Sequence, residues 1–353
     1  MLSVLVTLVV TVFVFGLLVA IHELGHYLVA RACGVGVIEF SIGMGPAIKT
    51  WHGKYNDISI RAFPIGGFVN MVGEYDDEIP EEHKYKIPLN SKPIWQRMLI
   101  VLAGPAMNIL LAFVLMFCIV ASSSVIGSTT VASFMEGSVS NVYGLCAEDE
   151  ILEINGKRIH CYSDMAYKIM SDGVEPVDIL VRRGGSEVLL ENVRFDIEDN
   201  DGIACGRQDF KVWQKNKTFG TIVYESFWQA CSTVYMTADS TLDAFTGRYG
   251  IDAVGGPIAI GGQVGETIEQ SVSFADAVGR IAMLAVFISV SLGICNMLPI
   301  PVLDGGRFLF YIIEAIRGKP MNKKFEQTVS AVFMLLLIAL TVLVAFKDIV
   351  GLF

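Results

Sequence analysis

Four runs of about 20 residues, nearly free of charged side chains, divide this chain, each long enough to cross a hydrocarbon core of about 30 Å. They fall at Leu2 to Ala30, Met98 to Ala121, Asp276 to Leu298 and Glu326 to Phe346, and each is expected to form a transmembrane helix. Between the first two runs, Ile48 to Met71 alternates in part, with Ile58, Ile60 and Ala62 on one side. Turn formers at Gly53, Asn56, Asp57, Pro64, Gly66 and Gly67 make this stretch a set of short strands. Between the second and third runs, strand candidates lead to Asp149-Glu150-Ile151-Leu152 and the turn Ile154-Asn155-Gly156. A helical stretch follows near Ser163 to Ser171, then strands near Val177 to Val181 and Glu187 to Val193. From Thr218 to Phe245, the residues Val223, Phe227, Ala230, Val234, Ala238, Leu242 and Phe245 recur at intervals of three and four. That is an amphipathic helix, which either lies on a membrane surface or packs on the inserted domain. Gly255-Gly256-Pro257 and Gly261-Gly262 are expected to end regular structure before the third span.

Composition agrees with a membrane protein: 53% of the 353 residues are hydrophobic and the mean hydropathy is +0.55. The first run lacks a Lys or Arg ahead of it and a clear small-residue cleavage site, so it is expected to stay in the mature protein. Basic residues collect in two loops. Arg31, Lys49, Lys54, Arg61, Lys84, Lys86, Lys92 and Arg97 follow the first span, and Arg307, Arg317, Lys319, Lys323 and Lys324 follow the third. Positively charged loops stay in the cytoplasm, so both are expected inside. The acidic segment between the second and third spans, which holds most of the net charge of −10, then lies outside with both termini. The run from Glu74 to Glu82 reads as a solvated loop. Seven cysteines form no CxxC pattern, and the four in the outer segment, Cys146, Cys161, Cys205 and Cys231, are either disulfide-bonded or free.

The chemistry concentrates at His22-Glu23-Leu24-Gly25-His26. On a helix, two histidines four residues apart project from one face toward a single metal ion, and Glu23 sits beside them as a base. Ionisable groups at the end of an apolar helix cost a few kcal/mol each, on the order seen for functional intramembrane residues. A catalytic zinc takes three protein ligands and leaves one position open, so a third ligand is needed. Asp304 is the candidate. It follows Asn296-Met297-Leu298-Pro299-Ile300-Pro301-Val302-Leu303, just past the third span, and the first and third spans both run from outside to inside. His22, His26 and Asp304 are therefore expected at one depth.

The segment from Ser128 to Ile197 resembles a PDZ domain, on the strand entry at Asp149 and the Ile154-Asn155-Gly156 turn. PDZ domains bind extended peptides by strand addition; a generic small β domain is the alternative. HExxH on the first span, Leu303-Asp304-Gly305 after the third, Gly104-Pro105-Ala106-Met107-Asn108 opening the second, and the inserted domain together resemble the bacterial site-2 protease family, in its regulator-of-sigma branch. The resemblance covers nearly the whole chain. It implies a multi-pass α-helical membrane protein with four transmembrane helices and an inserted extracytoplasmic PDZ domain. The expected bounds are 1–121 for the first part of the membrane core, 128–197 for the PDZ domain, 198–275 for a connecting region and 276–353 for the second part of the core. It further implies one Zn2+ per chain held by His22, His26 and Asp304, with Glu23 as catalytic base. Asn296 is implied near the substrate, and a membrane-reentrant hairpin from Ile58 to Met71 supplies Ile58, Ile60, Gly66, Gly67 and Phe68 as substrate contacts. Single-span membrane proteins are the implied substrates, in the inner membrane of a bacterium, with the active site toward the cytoplasm. A peptide or protein ligand of the PDZ domain and the lipid bilayer are further implied partners; nucleic acid is not an expected partner. Relatives can carry two tandem PDZ domains where this chain has one. The competing readings are a metal or proton transporter and a catalytically silent PDZ scaffold. The open zinc position argues against the first, and Glu23 against the second.

Overall fold

The structure, a computed structural model, describes residues 2–74, 86–200, 203–246 and 257–350. In chain order the elements are α1 (Leu2–Ala32), β1 (Val37–His52), β2 (Asp57–Met71), α2 (Ile94–Ser122), β3 (Ile126–Phe134), β4 (Glu150–Ile154), β5 (Lys157–Arg158), α3 (Tyr162–Asp172), β6 (Val177–Arg183), β7 (Ser186–Val193), β8 (Asp196–Asn200), β9 (Ile203–Arg207), β10 (Phe210–Lys215), α4 (Phe219–Thr246), α5 (Pro257–Glu269), α6 (Phe274–Asn296), α7 (Asp304–Arg317) and α8 (Lys323–Val350). They form two compact units, one of Met1–Ala112 with Gly250–Phe353 and one of Phe113–Tyr249.

Among the described residues, four helices, α1, α2, α6 and α8, are long and apolar enough to cross a membrane, close to the expected bounds. Leu8, Phe13, Leu335 and Val342 stand more than half exposed on them. Such apolar flanks are stable only against lipid or protein. The protein is thus a membrane protein carrying a sheet domain. α1 stops where Gly34 takes φ +70° and the Val35 N–H turns back to the Ala30 carbonyl, an ending that satisfies the helix's last carbonyls.

In the first unit, β1 and β2 are longer than the short strands expected, and β1 begins at Val37, well before Ile48. Each strand pairs in two places. Residues 39–42 lie between 57–60 on one side and 67–70 on the other, while 47–52 pair with 57–61. Among the described residues the result is a sheet four strands wide with Gly67–Met71 at one edge. The strands can double back because Gly43 and Gly66 take φ of +89° and +85°, a region closed to most side chains.

α7 is held in rotation by two ion pairs on one face. Arg97 of α2 meets Glu314 at 2.5 Å with both side chains 12% exposed, and Arg307 pairs with Glu74. Removing one member of such a buried pair costs about 3–5 kcal/mol. Glu74, the first residue of the acidic run read as solvated, is thus buried instead, because Arg307 offsets its desolvation; the rest of that run lies outside the described residues. The glycines Gly261 and Gly262 do not end regular structure. They sit inside α5, which packs on α1, where a Cβ on Gly265 would come 3.4 Å from Thr7. The packing of the helix as a whole on α1, not contacts at Gly261 or Gly262 themselves, outweighs the low helix propensity of glycine. Gly255 and Gly256 lie outside the described residues.

In the second unit, a wholly antiparallel sheet runs β10-β3-β4-β6-β7, with β5 paired to β4. Ile151, Ile154, Ile179, Val181 and Phe210 are fully buried, with Met165 and Ile169 of α3 covering them. Asn155 and Gly156 take φ of +49° and +70° between β4 and β5, as a two-residue type I′ hairpin requires. α4 follows Lys217, whose ammonium donates to the Ala121 and Ser123 carbonyls at 2.8 and 2.6 Å, capping the end of α2. All seven cysteines are free, which leaves no disulfide among the outer four. Burial pushes the Cys161 thiol up to about 12, so it stays protonated and inert.

Candidate metal centre

His22 and His26 lie one turn apart on α1, and are 7% and 8% exposed. Their Nε2 atoms face each other at 3.2 Å. Asp304, in the first turn of α7, brings Oδ2 to 3.0 Å from His22 Nε2 and 3.4 Å from His26 Nε2. The ligand atoms of the three residues all lie within 4.8 Å of one another.

The second ring nitrogens decide what the first can do. His26 Nδ1 donates to the Ile100 carbonyl at 2.8 Å, which places the ring proton there and leaves a lone pair on Nε2. His22 Nδ1 lies 3.3 Å from the Asn108 amide, whose Oδ1 is buried without a partner. A half-turn of that amide sets Oδ1 on the imidazole N–H, satisfying both and freeing the His22 Nε2 lone pair. Two lone pairs then face a carboxylate oxygen, Asp304 Oδ2, which is itself buried and makes no properly formed hydrogen bond. Three acceptors converging without a donor fit a cation, and the two-imidazole, one-carboxylate set is one that zinc takes. The residues fit the metal.

Close approach of α1 and α2 makes the site. A Cβ on Gly25 would overlap the Ala103 carbonyl and lie 2.6 Å from Met107 Cγ, while one on Gly104 would overlap His26 Nε2 and lie 2.7 Å from His22 Nε2. Gly104 and Asn108 belong to the Gly104-Pro105-Ala106-Met107-Asn108 motif, to which the sequence alone assigned no role. Their one-turn spacing on a span was the available signal.

The site opens on a cavity of about 710 Å3 lined by Glu23, Gly67, Phe68, Asn296, Asp304 and Arg307, among others. Glu23 is half-buried, and a Cβ on Gly67 would come 3.2 Å from its Cγ. The strand edge Gly67–Met71 forms one wall. Of the expected substrate contacts, Gly67, Phe68 and Asn296 line this cavity, whereas Ile58, Ile60 and Gly66 do not. Ile58 and Ile60 lie on the strand that has neighbours on both sides, and they are 42% and 41% exposed. Asn296 ends α6, and its amide makes no side-chain hydrogen bond among the described residues.

Two histidines and a carboxylate that fit a metal, opening onto a cavity beside helices long and apolar enough to cross a membrane, agree with the class that comparison with known proteins gives, a peptidase that works within the membrane. The chain belongs to peptidase family M50, whose profile matches residues 10–340. It is a zinc metalloprotease of the site-2 type. A candidate zinc metalloprotease of Fusobacterium nucleatum is 34% identical to it, over 98% of this chain and 99% of the relative. The regulator of sigma-W protease of Bacillus subtilis is 27% identical over 98% and 99%, and a metalloprotease of Caulobacter vibrioides 29% identical over 92% and 91%.

Proposed function

We propose that His22, His26 and Asp304 hold the zinc ion, that Glu23 is the catalytic base, and that the enzyme cuts the spans of single-pass membrane proteins near their cytoplasmic ends. The observation that carries this reading is the meeting of two freed imidazole lone pairs with the buried, unbonded Oδ2 of Asp304. Zinc bound there supplies a Lewis acid that acidifies water and polarises a carbonyl. Glu23 takes a proton from water and returns it to the departing amine. Asn108 and the Ile100 carbonyl hold the two imidazoles in the ligating tautomer. Zinc analysis of purified variants tests the assignment. His22→Ala, His26→Ala and Asp304→Ala are expected to lose zinc, while Asn108→Ala should weaken it by about 10–100-fold, the usual effect of losing a group behind a ligand. Full zinc retention in Asp304→Ala would remove that residue from the set.

A helical span spends its backbone groups internally and hides its carbonyls, so a substrate must unwind before it is cut. Each exposed amide or carbonyl then costs several kcal/mol on the order-of-magnitude scale unless it finds a partner. The edge Gly67–Met71, paired on one side with 37–42, supplies such partners by strand addition, and the Asn296 amide supplies one more. Substrates with Gly, Pro or Asn near the cytoplasmic end of the span should therefore be cut faster than all-Leu spans of equal length. Equal rates in correctly inserted substrates would end the unwinding account.

The sheet unit is proposed to be a single PDZ domain at residues 128–197, joined to the membrane core by residues 198–275. Its support is the strand entry at Asp149 and the type I′ turn at Asn155-Gly156. The distribution of Lys and Arg favours the inner membrane of a bacterium with the PDZ domain and both termini outside and the metal site toward the cytoplasm. The Bacillus relative is named a regulator of sigma-W protease, and membrane-anchored regulators of transcription are the substrate class this suggests.

A further inference from the structure

A separate cavity of about 220 Å3 lies within the sheet-bearing unit, where β5 and α3 meet α4. At its polar end Lys157 donates to the Tyr235 hydroxyl oxygen at 2.8 Å and Lys168 donates to the same oxygen at 3.2 Å. Both lone pairs of that oxygen are thereby used, so its own proton points elsewhere. No acceptor for that proton lies among the described residues. Lys168 is 6% exposed, a burial that an ammonium group tolerates only with compensation. Lys168 also has Asp172 at 3.6 Å and the Tyr167 and Tyr235 rings beside it, and Lys157 has the Tyr235 ring, so the two ammonium groups share one nearby carboxylate and carry an excess of positive charge.

Nearby carboxylates are largely committed. Asp172 lies 3.6 Å from Lys168, Asp164 accepts from the His160 backbone N–H and lies against its ring, and Asp239 accepts from Tyr167. The hydrogen bond to Tyr235 holds the Lys157 ammonium above its ordinary value, so it remains charged. Arg158 also lines the cavity, and the His160 ring stacked on Trp228 at 3.5 Å closes one wall. Two ammonium groups and a hydroxyl proton, all donors, thus turn on one space.

We propose that this cavity binds a phosphate group, free in solution or on the head of an anionic phospholipid. A tetrahedral dianion offers separate oxygens to all three donors and neutralises the pair of lysines. Position favours the lipid source. α4 starts just after Lys217, which caps the end of the second span, and Trp228 to Tyr235 lie about 14–24 Å along the helix from its start. Because Lys157 and Lys168 come from the sheet domain and Tyr235 from α4, an occupied site would fasten α4 to α3.

The test uses the whole zinc-loaded chain purified in detergent, with inorganic phosphate titrated by calorimetry against chloride at equal ionic strength. Saturable phosphate binding is expected. Lys168→Met and Lys157→Gln should each weaken it by about tenfold or more, the worth of a charge-assisted hydrogen bond. Lys157 is exposed, so its replacement leaves folding intact even where that of Lys168 does not. In bilayers of phosphatidylcholine with and without phosphatidylglycerol, the gain in Tm from the anionic lipid is then compared between wild type and Lys157→Gln. A gain lost in the variant supports the lipid source, and phosphate binding without such a gain supports the free anion. Absence of both effects, or equal effects in wild type and Lys157→Gln, overturns the proposal.

Discussion

Glu23→Gln is expected to lower proteolysis by about a hundredfold to ten-thousandfold, the contribution of a positioned general base, while leaving zinc content unchanged. The amide keeps the shape of the side chain against Gly67 but cannot take a proton from water. Zinc analysis and cleavage of a single-span substrate on the same preparation separate the two effects. A variant that lost the metal as well would make Glu23 part of the metal's support. One that kept full activity would move the base elsewhere in the cavity.

The second large effect is expected at a residue without a side chain. In Gly104→Ala the new Cβ would overlap His26 Nε2 and crowd His22 Nε2. A surface ring would swing aside, but His26 is tethered at Nδ1 to the Ile100 carbonyl and buried. Either the rings leave the metal position or α1 and α2 part. Overpacking of this kind costs about 1–3 kcal/mol, and spent on the site that is about a tenfold to hundredfold loss of zinc affinity. Competition with a chelator, alongside a thermal melt, measures both. Unchanged zinc affinity with an unchanged melt would show that the helices are farther apart than the structure has them.

What could be read from the sequence was what is local or repeated. The four spans are set by length and apolarity alone, and His22 and His26 by the pitch of one helix. Asp304 was within reach because the direction of successive spans brings their ends to one side. The long strands were not. Val37 to Ile42 continues an apolar stretch, and Gly43 and Gly45 look like a break, whereas the chain uses positive φ there to keep pairing. Gly104 and Asn108 could be seen as a motif but not understood, because what they face is fixed by where two helices cross. The Arg307–Glu74 pair joins residues at opposite ends of the chain, which no window reveals. The helix α5 continues through Gly261 and Gly262 although a Cβ on either would meet open space, and only Gly265 lies where α1 presses close.

The one-sided strand edge at Gly67–Met71 has a consequence for how a guest chain would sit. Backbone groups on an edge face outward only at every second residue, so under strand addition a docked segment keeps its bonds when it slides by two places and loses them when it slides by one. Such a grip is indifferent to the letters of the guest and sensitive to its phase. The scissile bond would then be chosen like a tooth on a ratchet, in steps of two, with the spelling of the span deciding only how readily it comes loose to be gripped.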